Sequence, residues 1–322
     1  MKQSVVGRYS KALDAQTKFF QFYSSRKGKV MIEEIAKAAH YGAKKEPGME
    51  EAILPPLGFG ETFYWSPEIC ELIFTASTSI PRTWTLENQN INSLCGFAWL
   101  ARPFLSNSPD GDPEFVRAIG WVPITTDGDN LLVVLPPYEY NPLLDDSRRN
   151  GLAISLFVEM PNLRLPSYFS EVRGWPQPTS RVYWFLGQDL NQMAKEGKGW
   201  EGKLAIERMS LFATMLAFLQ QKILVPIEYR ADKAVSRYVK KTMPERAPQI
   251  QVITLRPIQH YEKGGHRDVE WTCRWPVSSH WRNQPYGPAG QKHYRPKYIA
   301  SYLKGPEDKP LRHPGRLFAV VR

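Results

Sequence analysis

The residues best suited to chemistry lie near the carboxyl end, where cationic and aromatic side chains are mixed along SHWRNQPYGPAGQKHYRPKY (279–298). Arginine and lysine neutralise phosphates, flat rings stack on unpaired bases, and amide side chains match base edges. This mixture predicts a nucleic-acid-binding region with a preference for RNA or single-stranded DNA. The candidate binding residues here are Arg274, Trp281, Arg282, Gln284, Tyr286, Lys292, Arg295, Lys297, Tyr298 and Lys304.

A second cationic group precedes this region, in YRADKAVSRYVKKTM (229–243). At 100° per residue, the pattern predicts a short helix ending before Pro244. Its cations, Lys233, Arg237, Lys240 and Lys241, share one narrow arc, and Val235, Tyr238 and Val239 lie opposite. If all four cations neutralise phosphates, the logarithm of the binding constant should fall against the logarithm of the salt concentration with a slope of about −3 to −4.

Two histidines of the same region, His280 and His293, allow an enzymatic alternative. Histidine titrates near neutral pH, so one imidazole can take the proton of an RNA 2′-hydroxyl while another protonates the leaving oxygen. Neighbouring arginines would stabilise the negative charge that develops on phosphorus. The alternative function is therefore a metal-independent ribonuclease of toxin type.

The positive charge is strongly segregated along the chain. Of 322 residues, 42 are basic and 32 acidic, a net charge of +10. Residues 222–322 hold 20 basic and 8 acidic residues, so residues 1–221 hold 22 and 24. Such segregation favours a polyanionic ligand. An accessory protein of phage or host that grips an acidic protein partner is the third interpretation.

Other classes of function find little support. The chain lacks a phosphate-binding loop, a dinucleotide fingerprint and the zinc-protease motif, and we expect no cofactor. His260, His266, Cys273 and His280 are not spaced as paired zinc ligands, so we expect no metal site. Only three cysteines and no apolar leader or membrane-spanning run are present, so we expect a cytoplasmic protein, with no membrane partner.

Hydrophobic periodicity supplies the elements that must position these residues. It predicts helices over 8–45, 66–79 and 201–224, and short strands between residues 95 and 188 with no long helix between them. The fold class is therefore α+β, with a mainly antiparallel sheet, packed helices and a basic, irregular region that contains some β-structure. We expect a helical arm (1–50), an α+β body (51–225) and a basic aromatic region (226–322), loop-like over 279–316.

The carboxy-terminal string WTCRWPVSSHWRNQPYGP, followed by GPE at 305–307, resembles a segment of uncharacterised proteins from actinobacteria and their phages. That segment reads W-x-x-R-W-x-V-x-x-H-W-R-x-Q, then Tyr-Gly-Pro or similar and Gly-Pro-Glu. The matching residues are Trp271, Arg274, Trp275, Val277, His280, Trp281, Arg282, Gln284, Tyr286, Gly287, Pro288 and Gly305 to Glu307. The resemblance covers about forty residues and implies a bacterial or phage origin, with no assigned activity.

Overall fold

The chain divides into two compact units, residues 1–256 and 257–322. The computed structural model describes residues 5–38, 49–86, 95–107, 113–127, 130–133, 150–159, 172, 174–192, 200–219, 221, 224–255, 273–277, 279–288, 293–299 and 302–310. Within these residues, no helix is both long and apolar enough to cross a membrane.

Six helices are described in the first unit. They are α1 (Val5–Tyr23), α2 (Arg26–Ala38), α3 (Met49–Gly58), α4 (Pro67–Ser77), α5 (Trp200–Leu219) and α6 (Lys233–Thr242). Local chemistry sets the start of α4, where the Ser66 hydroxyl accepts from Ile69 N and Pro67 occupies the first turn. Helices are therefore present at the start of the chain and within the predicted regions 66–79 and 201–224, with bounds that differ from the predicted ones by a few residues.

The first unit is built on one eight-stranded sheet. Its strands are β1 (Glu61–Trp65), β2 (Gly96–Asn107), β3 (Pro113–Asp127), β4 (Asn130–Val133), β5 (Asn150–Glu159), β6 (Gln177–Phe185), β7 (Leu224–Arg230) and β8 (Gln249–Leu255). The order is β6-β5-β3-β2-β1-β8-β7, with β4 also paired to β3. Among the described strand pairs of this sheet, only β1–β2 and β1–β8 are parallel. The predicted α+β class with a mainly antiparallel sheet is confirmed.

Helices cover both faces of this sheet. On one face, Phe19 of α1 stacks on Phe157 of β5 and meets Phe97 of β2 edge-on. On the other face, Phe212 of α5 lies 5.6 Å from the ring of Trp121 on β3. Because β5 is covered on both sides, Gly151–Val158 are all buried and apolar except Ser155.

The last elements of the first unit differ from the predicted division of the chain. The basic helix α6 connects β7 to β8, and β8 pairs in parallel with β1, which lies in the first quarter of the chain. Long-range strand pairing thus places residues 226–255 with the first unit and not with the basic aromatic region, a relationship that composition does not reveal.

The second unit contains two separate two-stranded sheets. Strand β9 (Trp275–Val277) pairs with β12 (Tyr302–Lys304), and β10 (His280–Tyr286) pairs with β11 (His293–Ile299), all antiparallel. The prediction that residues 279–316 are loop-like is wrong for β10, β11 and β12. Proline and glycine suggested a loop, but Gly287, at φ 97°, lies just beyond β10 and leaves the strand intact.

Candidate nucleic-acid interface

Helix α6 presents its four cations to solvent, as the helical arc predicted. The side chains of Lys233, Arg237, Lys240 and Lys241 are exposed. Asp232 caps the helix by accepting from Val235 N at 2.9 Å, which sequence analysis did not identify. On the opposite side, Val239 is fully buried and the Tyr238 hydroxyl donates to Gln21 Oε1 of α1. The helix is thereby held to α1 with its basic face outward.

Strands β10 and β11 form a second cationic surface, on the other unit. Residues directly opposite one another in an antiparallel pair lie on the same face, and alternate residues lie on opposite faces. The register pairs Arg282 with Lys297 and Gln284 with Arg295. Residues His280 and Tyr286 and positions 293 and 299 complete this face. We call it the basic face of the ribbon.

The other face of the same ribbon carries rings and prolines. The register pairs Trp281 with Tyr298, Asn283 with Pro296, and Pro285 with Tyr294. The rings of Trp281 and Tyr298 lie 5.2 Å apart. This surface is the aromatic face of the ribbon. Strand geometry thus places the cations of the ribbon on one face together with Tyr286, and the other rings and both prolines on the opposite face.

Contacts within the basic face hold its groups in place. The Arg282 guanidinium donates through Nη2 to Gln284 Oε1. The guanidinium carbon of Arg295 lies 5.7 Å above the centre of the Tyr286 ring, a cation–π contact. Arg282 and Lys297 are directly opposed like charges, an arrangement that weakens a strand pair unless an anion lies nearby.

The predicted rings differ in accessibility. Tyr298 is 2% exposed, so its ring is packed and not offered to a base. Trp281 is half-buried against it, whereas Tyr286 is 40% exposed. The ring of Tyr294, which sequence reasoning also offers as a stacking surface, is more exposed, at 64%. Packing of Tyr298 on Trp281 follows from their direct pairing, which a loop-like interpretation could not foresee.

The remaining candidate residues lie elsewhere in the second unit or outside the described residues. Lys304 lies over the ring of Trp275 at 5.7 Å, across the β9–β12 pair. Arg274 is half-buried, and its backbone N–H donates to the carbonyl of Pro310. Lys292, Trp271, His260 and His266 lie outside the described residues, as does the side chain of His293.

The register separates the two histidines proposed for catalysis. His280 and His293 share the basic face, but His293 is opposite Tyr286, six residues along β10 from His280. At about 3.3 Å per residue the two positions are about 20 Å apart. General acid and base must both reach one phosphate, so this ribbon does not bring the pair together for RNA cleavage.

A cavity of about 510 Å³ in the first unit is the other candidate site, and no sequence motif pointed to it. It lies beside the buried guanidinium of Arg246 and is lined in part by Phe20, Phe59, Glu61 and Glu245. Burial lowers the pKa of Arg246 to about 10, so the side chain remains charged at neutral pH.

The donors of Arg246 are nevertheless committed to the protein. Nη1 donates to the carbonyls of Leu57 and Gly58, each at 3.1 Å, at the C-terminal end of α3. Nη2 donates to Gln16 Oε1, Thr62 Oγ1 and the Gly60 carbonyl. The carbonyl end of a helix favours a cation, so α3 compensates for this charge. Arg246 therefore acts as a structural cross-link, and the cavity is not an anion site built on it.

Comparisons with known proteins add little to this geometry. No family model matches the chain, and no curated protein matches it. One solved structure, titled "Crystal structure of AcrVA2", is similar with a TM-score of 0.43 and 10% sequence identity, over 92% of this chain and 86% of that chain. A similarity of this size assigns no function to the chain.

Proposed function

We propose that this protein binds nucleic acid through the basic face of the β10–β11 ribbon. The observation that supports the proposal most directly is the position of Arg282, Arg295 and Lys297 together on one face of the ribbon. Three cations in one cross-strand group create a local positive potential, which attracts a phosphate chain and weakens with salt.

Repulsion between two cations of the basic face favours a polyanionic ligand. Arg282 and Lys297 face each other directly, and like charges in this position destabilise a strand pair. Among the described residues, no carboxylate forms a salt bridge with either cation. A bound phosphate would relieve the repulsion, and its oxygens match the planar donors of arginine.

The exposed cations of α6 form a second cationic surface, on the first unit, to which phosphates can bind. Their side chains are exposed, whereas Val239 packs the helix against the rest of the unit. Neutralising the four cations therefore leaves that packing unchanged. Each phosphate contact adds its own increment to the salt dependence of binding. This allows the contribution of each unit to be measured separately.

The proposal is tested by fluorescence anisotropy with labelled oligonucleotides over a range of salt concentrations. The ribbon variant R282Q/R295Q/K297Q should bind more weakly and lower the log–log salt slope by about 2 to 3. The α6 variant K233Q/R237Q/K240Q/K241Q should lower it by up to about 3 to 4. The charge-matched control R26Q/K29Q/R82Q neutralises exposed cations of α2 and of the segment after α4, and should change the slope least.

Two results would contradict the proposal. One is a ribbon variant with the affinity and salt slope of the parent protein. The other is absence of binding to every oligonucleotide together with salt-sensitive capture of an acidic protein, which would favour the partner interpretation. Incubation with RNA in EDTA tests the ribonuclease alternative, which predicts cleavage that disappears in His280→Ala.

A further inference from the structure

We infer that the ligand of the basic face is double-helical DNA, with the ribbon lying in the major groove. This inference rests on the proposed function and makes it more specific. It departs from the preference for RNA or single-stranded DNA that the sequence predicts. The reason for the change is the position of the rings relative to the cations.

Binding of single strands combines a cationic track for the backbone with rings on which successive bases stack. Here the cations lie on one face of the two-stranded sheet, and the rings of Trp281, Tyr294 and Tyr298 lie on the other. On the basic face, the ring of Tyr286 is 40% exposed, and the Arg295 guanidinium lies 5.7 Å from its centre. Tyr298 is buried, and Tyr294 points from the aromatic face. A single strand on the basic face therefore finds no series of open rings.

The shape of the ribbon agrees with a duplex groove. The major groove of B-form DNA is about 12 Å wide and admits a two-stranded β-ribbon. The major groove of A-form RNA is deep and narrow, and side chains do not read it. The basic face extends over about 20 Å, from His280 to the Tyr286–His293 pair, as seven residues per strand allow. A ribbon of this length contacts several base pairs of one groove.

The centre of the basic face carries the groups that recognise base edges. Gln284 and Arg295 are directly opposite each other, between the Arg282–Lys297 pair and the Tyr286–His293 pair. Glutamine pairs with adenine and arginine with guanine through their major-groove edges. The hydrogen bond from Arg282 orients the Gln284 amide, whose oxygen keeps a second lone pair for a base. We assign base contact to Gln284 and Arg295, and phosphate contact to Arg282 and Lys297.

The experiment uses the full chain and four labelled probes of one sequence: single-stranded DNA, single-stranded RNA, duplex DNA and duplex RNA. We expect duplex DNA to bind about tenfold or more tightly than the other three at the same salt concentration. The Tyr294→Ala variant should bind like the parent protein, because its ring lies on the aromatic face. A minor-groove ligand should not displace the protein from duplex DNA.

The outcomes separate this inference from the proposed function. Equal or tighter binding of a single strand, weakened by Tyr294→Ala, would overturn the duplex inference and leave nucleic-acid binding intact. Displacement by the minor-groove ligand would overturn the groove assignment. If none of the four probes binds, the proposed function itself fails. If duplex DNA binds best but R282Q/R295Q/K297Q binds it equally well, the ribbon is not the site.

Discussion

Gln16 and Arg246 meet across 230 residues of chain, where Arg246 Nη2 donates to Gln16 Oε1 at 3.0 Å. The same amide donates through Nε2 to the carbonyls of Pro56 and Gly60, at 2.7 and 3.0 Å. The Thr62 hydroxyl donates to Gln16 Oε1 at 2.5 Å. This buried network joins α1, the end of α3, β1 and the segment before β8, so it connects early and late parts of the first unit.

The first prediction concerns the Arg246 cross-link. Arg246→Lys should lower the free energy of unfolding by about 2–4 kcal/mol, because one ammonium cannot reach all five acceptors and some remain buried without a donor. Urea denaturation measures the change. Arg230→Lys is the control, since Arg230 is exposed, and should change stability by less than about 0.5 kcal/mol.

The same residue makes a prediction about pH. The pKa of Arg246 is lowered by burial to about 10, so both folded and unfolded chains carry this proton at neutral pH. An uncharged replacement carries no titrating proton of its own, so the stability difference between Arg246→Met and the parent protein should be constant from about pH 6 to pH 8. Above about pH 10 the folded chain loses the proton before the unfolded chain, and this residue then makes stability rise with pH. A difference that varies at neutral pH would contradict the assignment.

The second prediction separates packed from exposed rings of the ribbon. Tyr298→Ala should destabilise the second unit by about 3 kcal/mol, because it removes a buried ring in contact with Trp281. Tyr294→Ala removes a ring that is 64% exposed and should cost less than about 0.5 kcal/mol. Thermal unfolding of both variants gives the comparison. If the two variants lose the same amount of stability, Tyr298 is not part of a packed cluster.

The third prediction concerns a buried ion pair between β3 and α5. Arg208 donates through Nη2 to Glu114, with the two side chains 5% and 12% exposed. Glu114→Gln should cost roughly 3–5 kcal/mol, because the Arg208 charge is left without its counterion. The double variant Glu114→Leu with Arg208→Met removes both charges and should recover most of that loss. Urea denaturation measures the loss of stability in the double variant and in Glu114→Leu and Arg208→Met alone. If the loss in the double variant equals the sum of the two single losses, the residues are not coupled.

The fourth prediction concerns the three thiols. Burial raises the pKa of Cys70 to about 11 and of Cys95 to about 12, so both remain protonated and shielded at mildly alkaline pH. Cys273 is only half-buried. A thiol reagent should therefore modify Cys273 in the folded protein and all three cysteines after unfolding. Rapid reaction of two or more thiols in the folded protein, counted by mass spectrometry, would contradict this burial.

The candidate site was only partly predictable from the sequence. The arc of Lys233, Arg237, Lys240 and Lys241 depends on helical periodicity alone, and the structure exposes all four side chains. The ribbon was missed because Pro285 and Pro296 suggested a loop, although alternation of HWRNQPY already separates Arg282 and Gln284 from Trp281. Whether that alternation becomes a two-faced surface depends on the pairing of Arg282 with Lys297, which no local pattern contains.

Features that depend on neighbours along the chain can be derived from the amino-acid sequence. The Ser66 cap, the helix and strand patterns, and the concentration of positive charge in the last third all follow from local periodicity and composition. Tertiary contacts determine which face of the ribbon carries the cations and which buried charges are compensated. Arg208 lies buried on α5, and its charge is compensated by Glu114 of β3, a partner 94 residues away along the chain. Arg246 meets Gln16 because strands distant in sequence pair, and hydrogen bonds between distant residues depend on that arrangement rather than on sequence spacing.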